Sequence, residues 1–384
     1  MIAVSPEAHP DRQEPESGGH PMAAWVWWGA VAAVTFLTWR ETFGWLDVIH
    51  PDVAIGRSAA HVLLGPDRFH VYALCPRAQM GPGAILLSLL PRALYLLLVG
   101  GLVGPVLVRL VDAGLAVSGR ALTPAVALSA AFGAWCCVRP WSELAGKGHA
   151  DDALVLAGAA LMLPSRRPEW LRFRLAGVAV AALGKPTVVL LLPLTVGWEP
   201  VAAMAAVGLV TLVWLPFVVV DPAGFLAAGR GVMVVGPHSL PTVVGYLPGS
   251  PPPAWIRCTQ LGGGALLAGF AVARGRPLHA LLAAFALRAL VDPNPAPAYC
   301  ISAIVLAVGV DVSRRYPLPW ATVAAVIAFQ ASADVLAGGP GGPRIGVLAV
   351  LLSGLLLEIG CGWLLAVRRD RKPLRLRFDP SPHR

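Results

Sequence analysis

The sequence predicts an all-α polytopic membrane protein of about 10–12 spanning segments. Three observations lead there. The chain has 384 residues, 57% hydrophobic and 13% charged, about half the roughly 25% charge of a soluble globular protein, and its mean hydropathy is +0.69. Its apolar residues fall into runs that match the roughly 20 residues needed to cross a bilayer, where the backbone must satisfy its own hydrogen bonds as helix. Many of its basic residues gather in short segments between those runs, the pattern of cytoplasmic loops. Soluble enzymes, DNA-binding domains and secreted disulfide scaffolds are excluded, and the surplus of 9 positive charges implies no nucleic-acid partner.

In chain order, residues 1–22 are polar and acidic on balance, with Pro6, Pro10, Pro15 and Pro21. Without a basic n-region or cleavage site they read as a disordered cytoplasmic tail, not a signal peptide. A membrane domain over 23–367 follows, with spans expected near 23–39, 92–114, 121–138, 152–164, 199–220, 256–273, 278–291, 297–312, 318–337 and 345–367. Residues 84–91 (AILLSLLP) read as a half-helix dipping in from one face. The tail 368–384 carries Arg368, Arg369, Arg371, Lys372, Arg375, Arg377 and Arg384 against Asp370 and Asp379, a cytoplasmic stop in contact with anionic lipid. Trp25, Trp27, Trp28, Trp39 and Trp45 suit an interfacial belt. Cys75, Cys136, Cys137, Cys258, Cys300 and Cys361 form no C-x-x-C and mostly lie in apolar runs, as small core residues.

Residues 176–197 decide the topology, because Gly184, Lys185 and Pro186 interrupt them at the centre. A single crossing would put the arginine-rich loops on both sides. A broken hairpin with Lys185 at its tip places Arg166, Arg167, Arg172 and Arg174, then Arg274 and Arg276, then Arg314 and Arg315, and the basic tail on one side, as the positive-inside rule favours. It also spares Lys185 from lipid. Both termini are then cytoplasmic, and the polar stretches 40–91 and 221–255 and the loops 139–151 and 292–296 face outward.

The outer side thereby collects Asp47, His50, Asp52, Arg57, Arg92, Lys147, His149, Asp151, Asp152, His238, Arg288 and Asp292. Singly, each could be a solvated loop residue. In so charge-poor a chain, acids and bases gathered at one membrane face mark a candidate site. Of the 30 basic residues only Lys147, Lys185 and Lys372 are lysine, and a compact ammonium is a phosphate partner that arginine does not duplicate.

Three stretches resemble a known family. They are Asp52-Val-Ala-Ile-Gly-Arg-Ser-Ala-Ala-His-Val-Leu-Leu-Gly-Pro with Met80-Gly81-Pro82 after it; Gly148-His149-Ala150-Asp151-Asp152-Ala153-Leu154; and Gly184-Lys185-Pro186 with Leu290-Val291-Asp292-Pro293 and Tyr299 beyond. In order and over most of the chain, they are similar to the first outer loop, the opening of the fourth span, the Lys-Pro break and the Asp-Pro entry of the GT-C superfamily membrane glycosyltransferases, especially glycosyltransferase family 87, whose members resemble polyprenyl-phosphate-mannose-dependent mannosyltransferases. Gly56 stands where the family has an aromatic residue, and Met80-Gly81 stands for Tyr-Pro.

The resemblance implies a GT-C-like bundle with a large first extracytoplasmic loop in the plasma membrane of a bacterium. It also implies an inverting transfer of a mannose-like sugar from a polyprenyl-phosphate donor to a glycolipid or polysaccharide acceptor, among membrane lipids and with no cofactor. One carboxylate would be the base. Asp52 and Asp47 compete for that role, and spacing to the Ala/Leu helix favours Asp52. Lys185, Arg288, Lys147 and Arg92 would hold the departing phosphate. Arg288 could instead pair with Asp292 at i,i+4. His149, Asp151 and Asp152 could bind acceptor hydroxyls or cap a helix; a metal site there has no fixed-spacing motif behind it and is not expected. Glu358 is expected to pair within the bundle and His238 to be a loop residue. A transporter or lipid flippase, or an inactive GT-C-like scaffold, are the competing readings.

Overall fold

The computed structural model describes residues 21–166, 172–196, 198–230 and 234–370, with 230 and 362–370 described by backbone alone. The described residues are helical, with no strand among them. The helices are α1 (Pro21–Phe43), α2 (Pro51–Leu64), α3 (Pro82–Leu87), α4 (Arg92–Ser118), α5 (Pro124–Cys136), α6 (Val138–Lys147), α7 (Ala150–Met162), α8 (Arg174–Gly184), α9 (Pro200–Val220), α10 (Pro222–Arg230), α11 (Ala254–Ala273), α12 (Pro277–Val291), α13 (Ala298–Ser313), α14 (Trp320–Leu336) and α15 (Gly342–Asp370). Among them α1, α4, α9, α11 and residues 342–361 of α15 are long and apolar enough to cross a membrane. The helix α1 starts two residues before the span expected from the sequence. Residues 1–20, Arg167 and 371–384, with most of both expected tails, lie outside the described residues.

Prolines start many of these helices at the position where a missing N–H costs nothing, as at α2, α3, α5, α9 and α12. The centre of the bundle is α13, buried without interruption from Cys300 to Val312, as its all-round apolar sequence requires. The outside is α9, which exposes Val201, Met204, Leu212 and Val219; such apolar exposure suits lipid, not water.

Small residues let α7 and α8 approach closely. A Cβ on Gly177 would come 2.7 Å from the Gly158 carbonyl oxygen, and one on Gly184 would come 2.7 Å from the Asp151 carbonyl oxygen. Pro186 then forces Lys185 into extended backbone, φ −160° and ψ 151°, and ends α8. The chain returns through two 3₁₀ turns to Trp198, on whose ring the Arg174 guanidinium lies at 5.5 Å. Residues 174–198 therefore double back with Lys185 at the tip, the hairpin expected from charge placement.

Two polar ends result. At one lie Arg174, Arg166, Arg120, Arg109 and Arg314, tied by Arg120 and Arg314 bonding through the latter's carbonyl and by Arg109 reaching Asp112 at 2.6 Å. At the other lies the Lys185 tip, against which residues 80–83 dock: the Gly81 N–H donates to the Gly184 carbonyl at 2.6 Å. The polar stretches 40–91, 221–255 and 292–296 meet there too, through His70 with Asp221 at 3.2 Å, Gln79 with the Ala228 carbonyl at 2.6 Å and the Gly236 N–H with the Pro293 carbonyl at 2.8 Å. A hydrogen bond from the Gly224 N–H holds the Asp221 carboxyl below its ordinary range.

One expectation is corrected. Residues 139–151, read as a loop, are mostly the helix α6. Its polar ridge Arg139, Glu143 and Lys147 recurs every fourth residue, and the opposite face buries Trp141 completely, with its indole N–H donating to the Val99 carbonyl at 2.9 Å. Charge density hid a helical period.

Candidate functional site

The site is assembled at the Lys185 end from helix termini. Asp52 stands in the first turn of α2, and its N–H is capped by His50 Nδ1 at 3.4 Å. Burial holds the His50 imidazole below its ordinary value. Asp52 Oδ2 lies 3.5 Å from His50 Nδ1 and 3.7 Å from His149 Nε2, with 36% of its side chain exposed. It is the accessible carboxylate of the group.

Gly148 makes the second contact possible. It ends α6 in the left-handed region, φ 96°, and a Cβ there would come 2.7 Å from Val53 Cγ2. Replacing Gly148 with Ala is expected to cost about 1–2 kcal/mol in backbone alone, plus the clash. Gly119, equally left-handed but with open space around it, carries only the backbone cost. Melting midpoints in detergent compare the two; equal losses would remove the packing argument.

Behind Asp52 the start of α7 presents Asp151 and Asp152, both buried, at the positive end of the helix dipole. Lys185 Nζ lies 2.5 Å from Asp151 Oδ2 and 3.1 Å from Asp152 Oδ2. The other Asp152 oxygen faces Arg288 Nη1 at 3.5 Å. Arg288 lies over the Tyr299 ring at 5.6 Å. The last turn of α12 hands the group on to Asp292, whose Oδ2 accepts from Gln260 at 3.0 Å and whose Oδ1 accepts from the Asn294 N–H at 3.0 Å. Gln260 is aimed by a π-turn over Thr259–Gly263 inside α11, a feature frequent where helices serve a site. It also bonds Arg257 at 2.7 Å.

The structure therefore brings together Asp52, His149, Asp151, Asp152, Lys185, Arg288 and Asp292. Arg288 pairs with Asp152, not with Asp292 four residues on. Three other sequence candidates have different engagements. Asp47 is exposed in the turn after α1. Lys147 pairs back along α6 with Glu143 at 2.7 Å. Arg92 donates to the carbonyls of Gly146, Val48 and Trp45 at 2.7, 3.3 and 3.4 Å, tying the end of α1 to α6.

Sequence reasoning missed Tyr95, Gln260, Arg257 and Arg344. Tyr95, buried on α4, interacts electrostatically with Asp151, Arg92 and Asp52. Arg344, fully buried on α15, donates to the Ala289 carbonyl at 2.5 Å and to Ser332 Oγ at 3.0 Å. It satisfies the end of α12 and so steadies Arg288. Arg257 and Gln260 are neighbours along α11, but the contacts that carry Gln260 to Asp292, Tyr95 to Asp151 and Arg344 to the Ala289 carbonyl cross between helices, where no spacing rule links them.

The donor atoms of His149, Asp151 and Asp152 all lie within 4.8 Å of one another, close enough to share an ion. The Lys185 ammonium lies between the two carboxylates, in contact with one oxygen of each.

Gly56 and Gly81 have packing reasons. A Cβ on Gly56 would come 2.9 Å from Ser88 Cβ, and one on Gly81 would come 2.8 Å from the Gly184 carbonyl carbon. Glycine is what lets α2 and the Met80-Gly81-Pro82 turn close on the site. No protein family, curated protein or solved structure matches the chain.

Proposed function

We propose that the chain is a membrane glycosyltransferase of GT-C type, acting at the extracytoplasmic face on a polyprenyl-phosphate-linked, mannose-like sugar and a glycolipid or polysaccharide hydroxyl. The observation that carries this reading is the convergence of one accessible carboxylate, Asp52, with buried cations at a single end of an apolar bundle. In this reading α1, α4, α5, α7, both arms of 174–198, α9, α11, α12, α13, α14 and α15 make about 12 passes. The arginine-rich end is then cytoplasmic.

Asp52 takes the acceptor hydroxyl proton as that oxygen attacks the anomeric carbon. The bond from this carbon to the phosphate oxygen breaks, its electron pair leaves with the phosphate, and the configuration inverts. His149, beside Asp52, orients the base or the acceptor. Asp151 and Asp152 absorb the charge of Lys185, so the developing phosphate charge falls chiefly to Arg288, with Arg257 nearby.

A second buried polar group favours the transporter reading. At the arginine-rich end His279 Nε2 lies 2.8 Å from Glu358 Oε2, and Arg314 reaches Glu358 at 3.0 Å and also pairs with Asp311. Glu358 thus pairs within the bundle, as its sequence position predicted. His279 and Arg288 are about 13 Å apart along α12, and Leu281, Leu282, Phe285 and Ala286 between them are buried and apolar. That dry interval argues for two separate groups, not a pathway.

The test is transfer in right-side-out membrane vesicles holding the full chain and supplied with labelled polyprenyl-phosphate mannose. Label is expected in a glycolipid or polysaccharide product. A failure of every polyprenyl-phosphate sugar to donate would sink the class.

A further inference from the structure

A groove of about 620 Å³ runs between α14 and α15, and everything lining it is apolar, including Leu318, Trp320, Val323, Ile327, Val347 and Val350. Its existence depends on glycines of α15. A Cβ on Gly354 would come 2.8 Å from the Trp320 ring, so that glycine admits the indole at the groove's end. Gly346 lines the groove and has open space where a side chain would stand. The mouth is cationic and aromatic. The Arg314 guanidinium lies 4.3 Å from the Trp320 ring centre, and the exposed Arg315 lies 5.6 Å from that of the exposed Tyr316. Arg314 is consumed by Asp311 and Glu358, which leaves Arg315 facing outward.

We infer that this groove holds an acyl chain of an anionic membrane phospholipid, with its headgroup at Arg315. An apolar slot beneath an arginine and interfacial aromatic rings matches such a lipid in shape and in charge. The slot runs from Pro343, beside Arg344, to Leu318 and Trp320, and its cationic mouth at Arg315 is at the end of the bundle opposite Asp52 and Arg288, where a resident lipid and not a sugar donor would place its headgroup. The inference needs only that the bundle lies in a bilayer and is independent of the proposed reaction.

Gly346 supplies a variant that tests the groove without breaking the fold. A Cβ there meets no atom within 4 Å, and leucine, a better helix former than glycine, would project into the groove. Gly208, on the lipid-facing α9 and equally open, is the control. The full chain is reconstituted in nanodiscs of phosphatidylcholine with one fifth phosphatidylglycerol, extracted in mild detergent, and its retained lipid quantified by mass spectrometry. The wild type and Gly208→Leu are expected to retain phosphatidylglycerol above its share of the nanodisc. Gly346→Leu is expected to lose it. Arg315→Gln should lower the enrichment about five-fold, the size of one basic side chain's attraction to an anionic surface. Retention of the two lipids in their nanodisc ratio by the wild type, or undiminished phosphatidylglycerol on Gly346→Leu, would overturn the inference. So would displacement of phosphatidylglycerol from the wild type by added polyprenyl phosphate.

Discussion

Replacing Lys185 with methionine is expected to lower stability by about 3–5 kcal/mol, the cost of leaving buried charge without its partner. Asp151 and Asp152 are 5% and 4% exposed at the side chain, and Lys185 is 12% exposed, so water cannot replace the lost ammonium. Arg288 compensates only Asp152, and at 3.5 Å. The loss should appear as a large drop in melting midpoint of the purified protein in detergent. Lys147→Met is the contrast, because its pair with Glu143 is a partly exposed helix-surface contact worth under about 1 kcal/mol. Adding Asp152→Asn to Lys185→Met should cost less than the two single changes together, as coupled neighbours do. A Lys185→Met protein that melts within a degree or two of wild type would show that the pair of carboxylates does not depend on this lysine.

Asp52→Asn should leave folding nearly untouched and lower the transfer rate by at least about 100-fold, the lower end of what a positioned general base contributes. The side chain is partly exposed and its two imidazole neighbours stand at 3.5 and 3.7 Å, so the isosteric amide removes basicity without opening a cavity. Asp47→Asn should transfer like the wild type, since Asp47 is exposed outside the cluster. The measurement is the initial rate at saturating donor in vesicles, with protein quantity and melting midpoint checked for each variant. If Asp52→Asn keeps more than a tenth of the rate while wild-type vesicles are active, the base is another residue. If Asp47→Asn is the inactive one, the choice between the two carboxylates is reversed.

Much of the helical layout was legible because a bilayer imposes a length on apolar segments. The apolar segment at 278–291 is a helix, α12 at Pro277–Val291, and that at 297–312 is α13 at Ala298–Ser313, both shorter than the five helices long enough to cross a membrane. Of the half-helix expected at 84–91, α3 at Pro82–Leu87 covers residues 84–87 only. The hairpin at Lys185 was legible from arginine placement and from one proline. The segment 139–151 was not, because three charges on one face of α6 concealed the apolar face that carries Trp141. Among site candidates, residues at helix starts or breaks, such as Asp52, His149, Asp151 and Lys185, were legible from local sequence. Gln260 lies inside an apolar helix, where nothing in its neighbourhood distinguishes it from residues that point elsewhere, and Arg344, though in the first turn of α15, has its partners Ala289 and Ser332 on two other helices.

The sequence by itself determined the all-helical, charge-poor character of this chain, the segments apolar enough to cross a membrane and the breaks between them. Those are local properties, set by transfer energies and backbone restrictions over about 20 residues. Only the tertiary structure decided which charges meet. It places Lys185 between two carboxylates 33 and 34 positions away, pairs Arg288 with Asp152 and not with Asp292, and leaves Asp47 outside the cluster. The reason is that a charge in an apolar bundle must find its partner wherever neighbouring helices bring one, and that neighbour is chosen by glycines such as Gly158, Gly177 and Gly184, whose missing side chains determine how closely two helices approach.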